Sequence, residues 1–217
     1  MSRDIIECIF GKKIAEENMK RLTAFITATV AAMSLATAEI TIGGRGIFGL
    51  GVGTSYEGGA DNSIGNSFDF GGAAFVKVPV WESLSIQPEV GFTYNMLGWE
   101  LGSGKGKSSY KAIDVPVLVG WDFKINDDFT VTPVVGPRFS IPVGKPGQDL
   151  DGGEFDTFLQ FSIVAGAGVA YRLGPGALVG DLRYNLGITG LQLKNVGDFV
   201  TPRAFQLSVG YQYQLDF

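Results

Sequence analysis

Histidine is absent from all 217 residues, and cysteine occurs once, at Cys8. Without an imidazole there is no Ser-His-Asp or Cys-His nucleophile and no histidine-ligated metal. Without a cysteine after residue 8, the rest of the chain has no disulfide and no thiolate ligand. Beyond residue 38 there is no run of about 18 continuous apolar residues, which excludes a membrane-spanning helix there. The formal charge is −5, and no nucleic-acid partner, no cofactor and no catalytic centre is expected. Glycine, by contrast, is in excess: 32 of 217 residues, about twice the usual share. The glycines follow no Gly-X-Y period, which excludes collagen. They lie inside apolar stretches, which argues against disorder.

Residues 19–38 have a composition of their own. Met19 is followed by Lys20 and Arg21, then by the mostly apolar run Leu22–Leu35, then by Ala36-Thr37-Ala38 before Glu39. A positive start, an apolar middle and a small-x-small end make a secretory signal peptide. Met19 stands where such a leader begins. Translation from Met19 is therefore expected, with residues 1–18 outside the true protein and 39–217 as the mature chain. A long genuine leader is the alternative. No cysteine stands at the cleavage position to carry a lipid anchor.

After residue 38 nearly every segment alternates with period two, the period of a β-strand. Eight strands are predicted: Ile40–Tyr56, Phe68–Val80, Leu84–Trp99, Tyr110–Phe123, Phe129–Ser140, Phe158–Arg172, Ala177–Ile188 and Phe205–Phe217. The connections alternate between long (57–67, 100–109, 141–157, 189–203) and short (81–83, 124–128, 173–176). Even strand number with alternating loop length is the pattern of an outer-membrane barrel, with long extracellular loops and short periplasmic turns. The expected fold is all-β, an eight-stranded antiparallel up-and-down transmembrane β-barrel in the bacterial outer membrane, with both termini periplasmic.

Which face meets lipid follows from three features. The apolar parity persists for about ten residues per strand, enough for a tilted membrane strand. Aromatic residues collect near strand ends, with Trp81, Trp99 and Trp121 as the expected interfacial girdle. The opposite parity carries Arg45, Lys77, Glu89, Asp114, Arg138, Asp181 and Arg183, four cations and three anions that can largely pair. Unpaired, each would be costly to bury. An eight-stranded barrel is only wide enough inside for side chains or one small ligand. A lumen plugged by this charge network is therefore expected, rather than an open pore. Asp181 and Arg183 share one strand face two residues apart, which suits structural pairing; a gating or proton-linked role is the alternative.

Two motifs are decoys. Residues 102–108 imitate a phosphate loop, but Leu101 stands where the pattern needs glycine, and a strand follows rather than a helix. Asp149, Asp151, Glu154 and Asp156 could offer oxygen ligands to calcium, yet they lack the full twelve-residue calcium-loop pattern. A solvated acidic loop tip accounts for them without a metal.

The segments Lys111–Phe123, Thr132–Gly144, Phe161–Tyr171, Leu178–Gly190 and Pro202–Phe217 resemble a family of bacterial outer-membrane β-barrel domains, the PorT-like group, akin in architecture to OmpA and OmpX barrels. The most specific piece is Asp181-Leu182-Arg183-Tyr184-Asn185-Leu186-Gly187. The resemblance implies the barrel fold, the outer-membrane location and no enzyme activity. It implies as partners outer-membrane lipid, periplasmic chaperones and the barrel-assembly machinery. The terminal Phe217, with Tyr213 and Tyr211 on the same parity, then reads as the assembly signal. A structural or surface-contact, adhesin-like role is expected, with host or environmental surface ligands meeting the long loops. A narrow channel for small or hydrophobic solutes and a soluble lipocalin-like carrier are the alternatives.

Overall fold

The computed structural model describes residues 40–52, 55–56, 62–101, 104–147, 159–189, 191–192, 199–201 and 203–215. Period-two alternation becomes eight long strands: β1 Ile40–Gly51, β2 Asn62–Trp81, β3 Leu84–Leu101, β4 Gly104–Trp121, β5 Phe129–Gly147, β6 Gln160–Leu173, β7 Gly176–Gly187 and β8 Arg203–Leu215. Each pairs antiparallel with its neighbour in sequence, and β8 returns to β1, from Ile40 opposite Leu215 to Gly51 opposite Ala204. The result is a closed eight-stranded barrel with no sheet edge facing lipid, the condition for crossing a membrane with strands.

The register fixes the stagger. Ladder partners run Thr41–Lys77, Gln87–Leu118, Gly136–Val164, Val164–Asn185, Asn185–Ala204 and Ala204–Gly51. Followed once round the wall at constant register, Thr41 comes back to β1 at Gly51, ten residues further along. A closed sheet accommodates such a stagger by tilting its strands against the barrel axis.

At one end the strands are joined tightly. Trp81 pairs with Leu84, and Leu173 with Gly176, so both hairpins have two-residue turns. Gly174 takes φ 62, the positive value that a primed hairpin turn needs at its first central position. Glu82 does the same job at φ 29 without the freedom of glycine. A non-glycine residue there costs about 1–2 kcal/mol. Glu82→Gly is therefore expected to raise the urea midpoint of the lipid-inserted barrel; an unchanged or lower midpoint would count against this strain. In the third turn Asn126 Oδ1 accepts from the amides of Asp128 and Phe129, at 3.0 and 2.8 Å.

At the other end the strands run further than their apolar patterns. Residues 100–109, expected as a loop, are mostly hairpin, with pairing up to Leu101 opposite Gly104. β2 begins at Asn62 rather than Phe68, and β5 continues to Gly147. Ser55–Tyr56 leaves the barrel and joins Phe199–Thr201 and Leu191–Gln192 in a separate three-stranded sheet. Hydrogen bonds, not lipid, hold these extensions, and such a ladder needs no sustained apolar parity.

Candidate functional site

The chemistry of this chain is concentrated in the lumen. Between the ladders, alternate residues point inward: Arg45 and Gly49 on β1, Asp69 and Phe75 on β2, Glu89 and Thr93 on β3, Asp114 and Leu118 on β4. Ser140, Ser162, Asp181, Arg183, Asn185, Gln206 and Ser208 complete the ring from β5 to β8. The outward parity is apolar and exposed, as in Phe48, Val90, Leu182 and Leu207.

Four of the seven charges singled out from the sequence form one group near mid-height. Arg183 grips Glu89 with both terminal nitrogens, at 2.9 and 2.8 Å, and its Nε faces Asp181 Oδ1. Arg45 donates to Asp181 Oδ2 and stands 3.5 Å from Glu89 Oε1. Each carboxylate thus bridges both guanidiniums. Gln87 adds a bond to Glu89 at 2.6 Å, and Ser208 one to Asp181 at 2.7 Å. The Arg45 guanidinium also lies 4.1 Å from the centre of the Phe75 ring, a cation–π contact. Phe75 fills the space that a side chain at Gly43 would need. Leu118, opposite Gln87 in the ladder, is fully buried.

A second group lies toward the extended-strand end. Asp114 is held by Arg138 at 2.8 Å, by Thr93 at 2.7 Å and by Ser140. Arg138 also reaches Gln206 at 3.4 Å, and Gln206 donates in turn to Asp69. Lys77 joins neither group. It pairs with Asp122 at 2.6 Å near the tight turns, and Thr132 donates to the same carboxylate at 2.6 Å. Asp69 and Asp122 were not singled out from the sequence, although both stand on the inward parity.

The tryptophans divide between the ends. Trp81 is 71% exposed and Trp121 49% exposed, and both pair with Leu84 at the tight-turn end. Trp99 lies at the opposite end, where its backbone pairs with Ile64 and Gly106. Tyr211 and Tyr213 are exposed at the tight-turn end, and the Tyr211 hydroxyl donates to the Leu173 carbonyl at 2.7 Å. Phe217 lies outside the described residues. Toward the extended end three cross-strand pairs form a second ring: Phe70–Tyr94, Phe139–Phe161 and Tyr184–Phe205, with centroids 5.3, 5.5 and 4.9 Å apart. Ten residue steps on β3, from Leu84 to Tyr94, connect the two levels. At ~3.3 Å per residue and a tilt of roughly 40° they span about 25 Å, the height of an outer-membrane apolar band.

A closed wall, greasy outside between two aromatic rings and charged within, defines a transmembrane β-barrel protein. The chain belongs to the outer membrane protein beta-barrel domain family, whose model matches residues 23–213, and this places it in the bacterial outer membrane. Among solved structures it is similar to the outer membrane protein OprG from Pseudomonas aeruginosa. The identity is 10% and the TM-score 0.63, with 82% of this chain and 97% of that one covered. It is also similar to a major outer membrane protein from Thermus thermophilus, at 18% identity and TM-score 0.53, covering 81% and 99%. The outer membrane protein AlkL, solved by solid-state NMR in DMPC bilayers, gives 15% identity and TM-score 0.53, covering 84% and 92%. No curated protein sequence matches the chain. Among the described residues no helix is long and apolar enough to cross a membrane, and no group of three or more His, Cys, Asp or Glu could hold a metal ion. The acidic cluster Asp149–Asp156 and the glycine-rich tip at 102–103 lie outside the described residues.

Proposed function

We propose that the protein is a non-enzymatic, closed barrel with a structural and surface-contact role, and that its interior serves stability rather than transport. The observation that carries this reading is the mid-height group. Arg45, Glu89, Asp181 and Arg183 come from three strands, are all buried, and neutralise one another across the lumen. No catalytic arrangement accompanies them among the described residues, and the charged groups are spent on one another. The long-loop end then carries the contact surface. In the orientation we propose, that end is extracellular and both termini are periplasmic, as the loop lengths suggest. Protease cutting within 141–157 in intact cells tests this orientation. Protection in intact cells, with cutting after lysis, would reverse it.

Conductance tests the closed lumen. Refolded protein in a planar bilayer is expected to give no steady opening under conditions where an open pore conducts. A stable conductance in most insertions would support instead a narrow channel for small or hydrophobic solutes. Deleting the long loops one at a time should abolish surface or host binding without lowering the yield of folded barrel. We further propose that Phe217, with Tyr211 and Tyr213 on the same parity, addresses the chain to the assembly machinery. Removing Phe217 should reduce membrane insertion in cells several-fold while leaving the urea midpoint of the refolded barrel unchanged.

A further inference from the structure

On the extended-strand side of the mid-height group lies a polar cavity of about 40 Å³. Asp69, Asn95, Asp114, Arg138, Asn185 and Gln206 are among its lining residues. A smaller hollow of about 20 Å³ adjoins it and shares Asp114, Arg138, Asn185 and Gln206. Two carboxylates therefore face one guanidinium. Arg138 is committed to Asp114, at 2.8 Å from Nη2 to Oδ2 and 3.2 Å from Nε to Oδ1. Asp69 is buried, and its carboxylate accepts from the side-chain amide of Gln206. The wall is built around it: any side chain at Gly49 would overlap the Asp69 carboxylate. The cavity thus sets two carboxylates against one guanidinium.

A second, independent observation lies in the same cavity. Asn185 is 5% exposed, and among the described residues neither its amide nitrogen nor its carbonyl oxygen has a partner. The Gln160 side chain also lines the larger cavity, and its amide nitrogen is likewise buried with no partner among the described residues. A buried amide with nothing to bond is costly and calls for a missing partner.

We propose that this cavity binds one small, partly hydrated monovalent cation through the Asp69 carboxylate and the Asn185 carbonyl oxygen. With both carboxylates ionised, one guanidinium leaves a charge of one to be balanced, which a single monovalent cation supplies. A calcium ion would want six to eight oxygens, several of them anionic, and no cluster of three acidic groups is present among the described residues. The volume admits an ion with one or two waters, and no larger organic solute. The Asn185 and Gln160 amide nitrogens then bond the ion's waters. The site does not depend on a surface role, so conductance and surface-binding results leave it standing.

The test uses the full folded protein in detergent micelles, in sodium, potassium or choline chloride at equal ionic strength. Sodium or potassium is expected to raise the unfolding temperature saturably above that in choline. The ²³Na resonance should broaden in excess of a micelle blank, and potassium should reverse the broadening. Asp69→Asn should abolish both effects, and Asn185→Leu should move the saturation midpoint at least tenfold higher. Equal unfolding temperatures in all three salts without excess ²³Na broadening would mean that water alone fills the cavity, and would overturn the proposal. So would an ion effect that survives both substitutions. If Asp69→Asn does not fold, the wild-type ²³Na signal and its loss in Asn185→Leu decide the matter.

Discussion

Replacing Glu89 by alanine is expected to destabilise the barrel by about 3–5 kcal/mol, the cost of breaking a buried ion pair from one side. The effect is large because Glu89 is the one acceptor that Arg183 holds with two hydrogen bonds, and it also faces Arg45. Its removal leaves Asp181 alone between two buried guanidiniums. Glu89→Gln keeps an acceptor but not the charge, so its loss should be smaller. The double change Glu89→Ala with Arg183→Ala should recover part of the loss, since Arg45 and Asp181 then remain as a pair. Urea unfolding of the lipid-inserted protein reads all three. If Glu89→Ala shifts the midpoint no more than a surface substitution does, the mid-height group does not support the barrel.

Gly136→Val should nearly abolish the folded form, at a cost of about 3 kcal/mol or more. Gly136 faces into the lumen on β5, where a Cβ would overlap the Val117 carbonyl oxygen and stand 3.0 Å from Leu118 Cα. Those are backbone atoms of the adjacent strand, so no flexible side chain can swing aside. The ladder is already interrupted here. Pairing passes from Pro116 opposite Arg138 to Val119 opposite Val135, and Pro116 and Pro137 lack the amide protons a continuous ladder needs. The wall can come this close only because glycine has no side chain. Heat modifiability on unboiled gels measures the outcome: the compact band should disappear for Gly136→Val and persist for a similar change at an outward position such as Ala165→Val. A full-strength compact band for Gly136→Val would refute this close contact.

Much of this architecture is legible in the residues, for a physical reason. A wall with lipid on one side and packed charges on the other forces a period of two, and that period survives in a single sequence. Arg45, Glu89, Asp181 and Arg183 can be placed inside by parity alone. Their partners cannot, because pairing across a lumen depends on register and stagger, which parity does not encode. Lys77 illustrates this. It belongs with the inward charges, yet its partner is Asp122 near the tight turns. Asp69, Asn185 and Gln206 carry the same inward parity without standing out. One carboxylate beside phenylalanines and two amides look ordinary until the barrel brings them around one cavity. Val78 goes the other way: its parity assigns it to lipid, but it is buried, close to a register shift between Pro79 and Trp81. The strand extensions at 62–67 and 100–109 escape a reading by parity because a backbone ladder needs no sustained apolar face.

The seam between β1 and β8 has a topological meaning. Ile40 stands opposite Leu215, so the two ends of the barrel sequence leave the wall side by side, about 5 Å apart, one strand spacing. The wall is a ring in which no strand is first except by the accident of where the chain is cut. A short peptide bridging 215 to 40, with a new opening at the 124–128 turn, would keep every ladder of the ring. Whatever is attached at either end must emerge in the same compartment as its counterpart, because an even number of crossings leaves no other choice.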